Sequence, residues 1–243
     1  MGRNPERARQ GESKDQSSLP ASAEAGDAAI LCAACLRQVP RCGPPVCGRC
    51  GAELPGAFDA AMLCGPCHQN PPAFDMARAP WTYRGVVPDA VCQFKYSKRW
   101  RIGRWLAEAM VRTARAAFPL GEVAMVVPVP LHWLKRRLRG SNPSEDLAVL
   151  VAQRLQTPCR PRALRRRRWT ATQTRLRTPA RARNVRGAFL ARPSAVRDQT
   201  ILLIDDVVTS GATAGACARA LKEAGARRVF VLAAARTPMT NSE

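Results

Sequence analysis

The segment Ile201-Leu202-Leu203-Ile204-Asp205-Asp206-Val207-Val208-Thr209-Ser210-Gly211-Ala212-Thr213 sets two carboxylic acids just ahead of a turn of small and hydroxylated residues. Carboxylates accept hydrogen bonds from neighbouring hydroxyls, as on a sugar ring. A turn that opens a helix presents backbone N–H groups to an anion, above all a phosphate dianion. The order of acids, turn and helix therefore suits a sugar phosphate. Asp205 and Asp206 would take two ribose hydroxyls, and Thr209, Ser210, Gly211, Ala212 and Thr213 would cup the phosphate. A plainer reading stands beside it, because buried strands often end in Asp and run on into a helix. The chain has no glycine-rich Walker loop, the main competing phosphate device.

Cysteines carry the second candidate chemistry. Seven of the ten lie between Cys32 and Cys67. Cys47-Gly48-Arg49-Cys50 and Cys64-Gly65-Pro66-Cys67, with thirteen residues between them, have the spacing of a zinc ribbon. Each pair turns tightly enough to aim two thiolates at one tetrahedral ion. A structural zinc at Cys47, Cys50, Cys64 and Cys67 is the expectation, with no role in activating water. Disulfides suit the spacing less well, and the polar residues 1–29 hold no apolar stretch of a secretory signal. Cys32 and Cys35 make a third pair. It reads as a degenerate second ribbon, or as a second ion site completed by Cys42 or His68. Cys217 falls on the apolar face of a helix and should fill core.

Elements must hold these residues in place. Ile201 to Ile204 read as a buried strand, 213–224 as the helix after the turn, and Gly225 as its stop. The β-branched run 123–129 is another strand, 229–234 a further one, and 80–85 a short strand ending in a turn. The stripe Ile102, Trp105, Leu106, Ala109, Met110, Ala117 and Phe118 predicts a helix over 99–118. A second helix starts with Asn142 as N-cap, Pro143 as first residue and Glu145 as the acid of a capping box. Leu147, Leu150, Val151 and Leu155 form its buried face. Strands alternating with helices give an α/β fold with a mainly parallel sheet, whose ligands sit at the carboxyl ends of strands. The expected layout is a disordered tail over 1–29, a cysteine-rich ribbon over 30–76, the α/β domain over 77–238 and a tail over 239–243.

Composition bounds the partners. The 243 residues carry a formal charge of +21, from 39 Lys+Arg against 18 Asp+Glu. Such a balance favours polyanions, either nucleic acid or a substrate with several phosphates. Only five of the basic residues are lysines, and Ala is abundant beside Arg, so GC-rich coding accounts for part of the excess. No apolar run approaches the roughly 18 residues of a membrane span, and a cytoplasmic protein is expected. Arg165 to Arg168 form an unbroken run, followed by Arg175, Arg177, Arg181, Arg183 and Arg186. Interleaved Thr, Gln and Pro argue against a regular element there. The stretch reads as a solvated loop, a flap over pyrophosphate, or a clamp on a nucleic-acid backbone.

The Asp205-Asp206 run matches the phosphoribosyl-pyrophosphate (PRPP) signature of type I phosphoribosyltransferases, with Ser210 in place of the more usual second Thr. Taken in order, further marks resemble the ComF family from about residue 31 to 237. They are the two C-x-x-C pairs, Pro71-Pro72-Ala73-Phe74-Asp75, Tyr83-Arg84-Gly85, Phe94-Lys95-Tyr96, Val127-Pro128-Val129-Pro130-Leu131, Arg139-Gly140-Ser141-Asn142, Thr172-Gln173-Thr174, and Arg183-Asn184-Val185-Arg186-Gly187-Ala188-Phe189. The resemblance implies a phosphoribosyltransferase-like domain, PRPP bound with Mg2+, and Asp205 and Asp206 as the catalytic acids. Lys135, Arg137 and Arg139 become candidates for the pyrophosphate, and Arg183 and Asn184 for a closing flap. It implies, alternatively, a protein that handles single-stranded DNA during natural transformation, with PRPP as a regulator. The chain departs from many members at Pro143, where they have Gln, and at Ser97 and Lys98, where they have glycines. It also lacks their additional N-terminal C-x-x-C.

Overall fold

The computed structural model describes residues 30–56, 62–97, 99–131, 137, 140–168, 185 and 187–239. Residues 1–29, Lys135, Arg139, Arg183, Asn184 and the other arginines from 175 to 186 lie outside them.

Two short helices, α1 (Ala33–Arg37) and α2 (Gly65–Gln69), belong to the cysteine-rich segment. Strands β1 (Met76–Arg78) and β2 (Trp81–Thr82) follow, then helices α3 (Val87–Ser97) and α4 (Trp100–Ala117). Next come β3 (Val123–Pro128), α5 (Pro143–Leu155), β4 (Leu164–Arg166), β5 (Phe189–Ala191) and the single turn α6 (Pro193–Val196). The chain continues through β6 (Thr200–Val208), α7 (Ala212–Glu223) and β7 (Arg228–Arg236). Five strands form one parallel sheet in the order β1-β7-β6-β3, with β2 also pairing β7. β4 and β5 make a separate antiparallel pair. The expected α/β architecture with a mainly parallel sheet is the observed one.

Strand alternation divides the core into two layers. Ile201 and Leu203 of β6 pack with Val229, Val231, Cys217 and Leu221 on one face. Leu202 and Ile204 pack on the other with Leu106, Met110, Leu147 and Val151 from α4 and α5. Trp81 stacks on Trp105 with ring centroids 4.2 Å apart, fixing β2 against α4. No described helix is long and apolar enough to cross a membrane.

Several local expectations change. β6 does not stop at Ile204, because β7 continues to pair with it through Asp205↔Ala233 and Val208↔Arg236. Both acids thus sit within the strand's last four residues. α3 has no counterpart among the elements expected from the sequence, although Pro88 is well suited to the first turn of a helix. Its buried positions Val87, Ala90, Val91 and Phe94 do follow helical spacing. The arginine run begins inside a strand after all. Leu164 is buried opposite Ala191, and the Arg166 guanidinium lies 5.4 Å from the centre of the Phe189 ring. Asn142 does occupy the N-cap position of α5, with Pro143 at its start. Its amide, however, donates to the Val129 carbonyl at 3.1 Å and makes no cap hydrogen bond, so it ties α5 to the end of β3.

Candidate functional site

Consecutive residues of a strand point to opposite faces, and the two acids find different partners accordingly. Asp205 is 8% exposed. Its Oδ1 accepts from Ser144 Oγ at 3.1 Å and from the Asp206 N–H at 2.9 Å. Burial, together with the charge of Asp206, pushes its carboxyl up to about 7 from the usual 3.8, although those two hydrogen bonds and Lys95 pull the other way. Asp206 is more open. Its Oδ1 accepts from the Val207 N–H at 2.6 Å, and its Oδ2 lies 2.9 Å from Lys95 Nζ.

After β6 the chain turns through Thr209 and Ser210 to Gly211, which has φ of +77° at the N-cap of α7. Only glycine adopts that backbone freely. The first turn of α7 closes with Gly215 N–H donating to Gly211 O at 2.7 Å. A cavity of about 250 Å³ lies between acids and turn, lined by Asp205, Asp206, Thr209, Gly211 and Thr213, with Tyr83 and Lys95 on its other side. Of the turn residues expected at the phosphate, Ser210 is exposed and neither it nor Ala212 lines this cavity. Arg137 is exposed and does not line it either.

Two partners of the acids, Lys95 and Ser144, and their cavity neighbour Tyr83 carry no signal of their own in the residue patterns. Lys95 and Tyr83 belong to the short marks Phe94-Lys95-Tyr96 and Tyr83-Arg84-Gly85, and Ser144 belongs to none. Lys95 stands on the last turn of α3. Burial works against its ammonium, but Asp206 first and then Asp205 outweigh it and raise its pKa.

A larger cavity of about 820 Å³ opens at the end of β3. Arg160, Arg162, Arg165, Arg166 and Arg192 line it together with Asn142 and, among the described residues, the single acid Glu145. Burial lowers the pKa of Arg166, while Cys217 and Asp205 act on it in the opposite sense.

The sulfurs of Cys47, Cys50, Cys64 and Cys67 lie within 4.8 Å of one another, all four side chains buried. Cys50 Sγ and Cys64 Sγ are 3.6 Å apart, and Cys47 Sγ accepts from the Cys50 N–H at 3.4 Å and the Cys64 N–H at 3.3 Å. Hydrogen bonding from Cys67 pulls Cys50 down to about 5, whereas burial pushes Cys64 up to about 11. So crowded a set cannot all ionise alone, and a bound cation is what allows four thiolates to coexist. The donor set fits a tetrahedral metal ion. Two arginines face it: Arg236 Nη2 lies 3.5 Å from Cys50 Sγ, and Arg78 Nη1 donates to the Cys47 carbonyl at 3.3 Å. Among the described residues no second group of this kind occurs. Cys32 Sγ accepts from the Cys35 N–H at 3.5 Å, and Cys42 Sγ donates to Gly51 O at 3.6 Å, both apart from the cluster.

No family model matches the chain. Among solved structures it is similar to an allosteric regulatory enzyme of purine biosynthesis, with TM-score 0.37 and 22% identity over 54% of this chain and 25% of that one. A glutamine PRPP amidotransferase from B. subtilis gives TM-score 0.40 and 18% identity over 59% of this chain and 30% of that one. Sequence relatives align far more fully. Competence protein F of Haemophilus influenzae is 28% identical over 211 residues, 85% of this chain and 90% of the relative. DNA utilization protein YhgH is 32% identical in Escherichia coli K12 and 34% in Salmonella typhimurium, with the same coverage. An identity of that level along nine-tenths of the relatives' length makes this chain a member of the ComF family.

Proposed function

We propose that the cavity at the carboxyl end of β6 binds PRPP as its magnesium complex, and that the protein handles a phosphoribosyl group in nucleotide metabolism. One observation carries this reading: two carboxylates and the turn at the start of α7 share a cavity of about 250 Å³. Asp206, half-buried and facing that space, suits a ribose hydroxyl, and the backbone from Thr209 to Thr213 suits the 5′-phosphate. Mg2+ would arrive with the diphosphate, as part of the substrate. Departure of pyrophosphate from C1 leaves positive charge on the ribose ring. Fixed carboxylates beneath the ring would stabilise that charge and hold the sugar for attack.

Calorimetric titration with PRPP, with and without Mg2+, tests the proposal. The expected result is saturable binding that needs Mg2+ and weakens at least tenfold in Asp206→Asn. Absence of heat from PRPP and Mg2+ together would falsify it.

The four-cysteine cluster supports a structural zinc. Zn–S bonds of about 2.3 Å in a tetrahedron give sulfur separations of about 3.8 Å, and the 3.6 Å between Cys50 and Cys64 is close to that. Such an ion would fold the ribbon and take no part in catalysis.

A second reading is favoured by the groove that, among the described residues, is lined by five arginines and one acid. Relatives named for competence and DNA utilization support a grip on single-stranded DNA there. In the same calorimeter an oligonucleotide replaces PRPP. Under this reading its binding is strongly salt-dependent and unchanged by Asp206→Asn.

A further inference from the structure

Lys95 is the one cation among the described residues that line the cavity of the acid pair. It reaches the site from α3, and its side chain is 19% exposed. An ammonium has three N–H donors, and Asp206 Oδ2, at 2.9 Å, takes one. The same cavity is lined by Thr209, Gly211 and Thr213. A pocket holding two carboxylates and no cation would repel an anionic ligand.

We infer that Lys95 is the residue that selects an anionic sugar over a neutral one at this pocket, by pairing with Asp206 and sharing its remaining donors with a ligand phosphate. The inference rests on the ribose-phosphate reading above and assigns that site a further binding residue. The geometry explains why the residue is a lysine on a helix. A point charge with rotatable donors can hold a carboxylate and a phosphate together, where a planar guanidinium would commit itself to one. The register of α3 keeps it there: Phe94, its neighbour, is buried against Gly103 of α4, so Lys95 faces the cavity while Phe94 faces the core.

The test measures ribose 5-phosphate binding by calorimetry in five proteins: wild type, Lys95→Met, Lys95→Arg, Asp206→Asn, and the Lys95→Met/Asp206→Asn double variant. The double variant leaves no stranded carboxylate, so it reports on the lysine even if Lys95→Met alone folds poorly. We expect Lys95→Met to weaken binding at least tenfold and Lys95→Arg to recover only a small part of the loss, since its guanidinium would stay with Asp206. The double variant should bind at least tenfold more weakly than Asp206→Asn, and the dependence of affinity on salt should flatten in both methionine proteins. If the double variant binds as tightly as Asp206→Asn, Lys95 serves only to hold Asp206 and the inference is overturned while the ribose-phosphate reading stands. If the folded wild type binds neither ribose 5-phosphate nor PRPP, that reading fails and takes this inference with it.

Discussion

Asp205 and Asp206 are the same side chain in adjacent positions, yet the sheet makes them chemically different groups. Asp205 is turned toward Ser144 and the core, and Asp206 toward Lys95 and the cavity. The first should leave a mark on the stability of the protein as a function of pH. Its folded pKa of about 7 lies above the ordinary 3.8. Below about pH 4 both folded and unfolded chains carry the proton; between about 4 and 7 the folded chain binds it more strongly. Asp205 therefore lends stability at low pH that is lost as pH rises through 7, by an amount on the order of a few kcal/mol. Asp205→Asn should remove this slope and be more stable than wild type at pH 8, with the gap closing toward pH 5. Urea denaturation of both proteins at the two pH values checks it. Equal slopes would mean that the carboxylate is better solvated than its 8% exposure implies.

Helix α3, which brings Lys95 to the cavity, packs very closely against α4. A Cβ added at Gly103 would stand 2.6 Å from Phe94 Cε2, and Phe94 is itself buried. Gly103→Ala should cost about 1–3 kcal/mol through overpacking, seen as a lower denaturation midpoint. Phe94→Leu in the same chain should restore part of it; a midpoint unmoved by Gly103→Ala would show that the two helices yield freely. This pair also marks how far the sequence could be read. The stripe from Ile102 to Phe118 announces α4, and Ile201 to Ile204 announce β6, because burial on a fixed period leaves a pattern. The acids and the turn are legible for the same reason, being contiguous. Lys95 and Ser144 are not, since they lie 111 and 62 residues from Asp206 and meet it, or its neighbour, only through packing of α3 and α5 on the sheet. β1 leaves no such pattern, because three residues, Met-Ala-Arg, offer neither length nor β-branching, and its pairing is supplied by β7.

At the scale of the whole molecule, the cysteine cluster is part of the sheet's own core. Cys47, Cys50, Cys64 and Cys67 belong to one buried cluster with Phe74, Ala77, Val231 and Ala233. The Ala77 N–H donates to the Arg49 carbonyl at 2.7 Å, so β1 is tied to the first C-x-x-C turn. Loss of a metal bound at these four cysteines should then be felt well beyond the ribbon. Cys64→Ser is expected to lower bound zinc from about one per chain toward zero. It should also reduce global stability by several kcal/mol, read by elemental analysis and by denaturation of the full chain. Loss of zinc with an unchanged midpoint would show that the ribbon folds independently of the sheet.

β7 stands between β6 on one side and β1 and β2 on the other. Its residues, 228–236, come after every other strand in chain order. On a translating ribosome the two halves of this sheet must therefore wait, separated by a gap one strand wide, until the final piece emerges. Until then the row of Ile and Leu along β6 has an open edge, which is an invitation to pair with a neighbouring nascent chain. Production of the protein should be most vulnerable to aggregation in that interval.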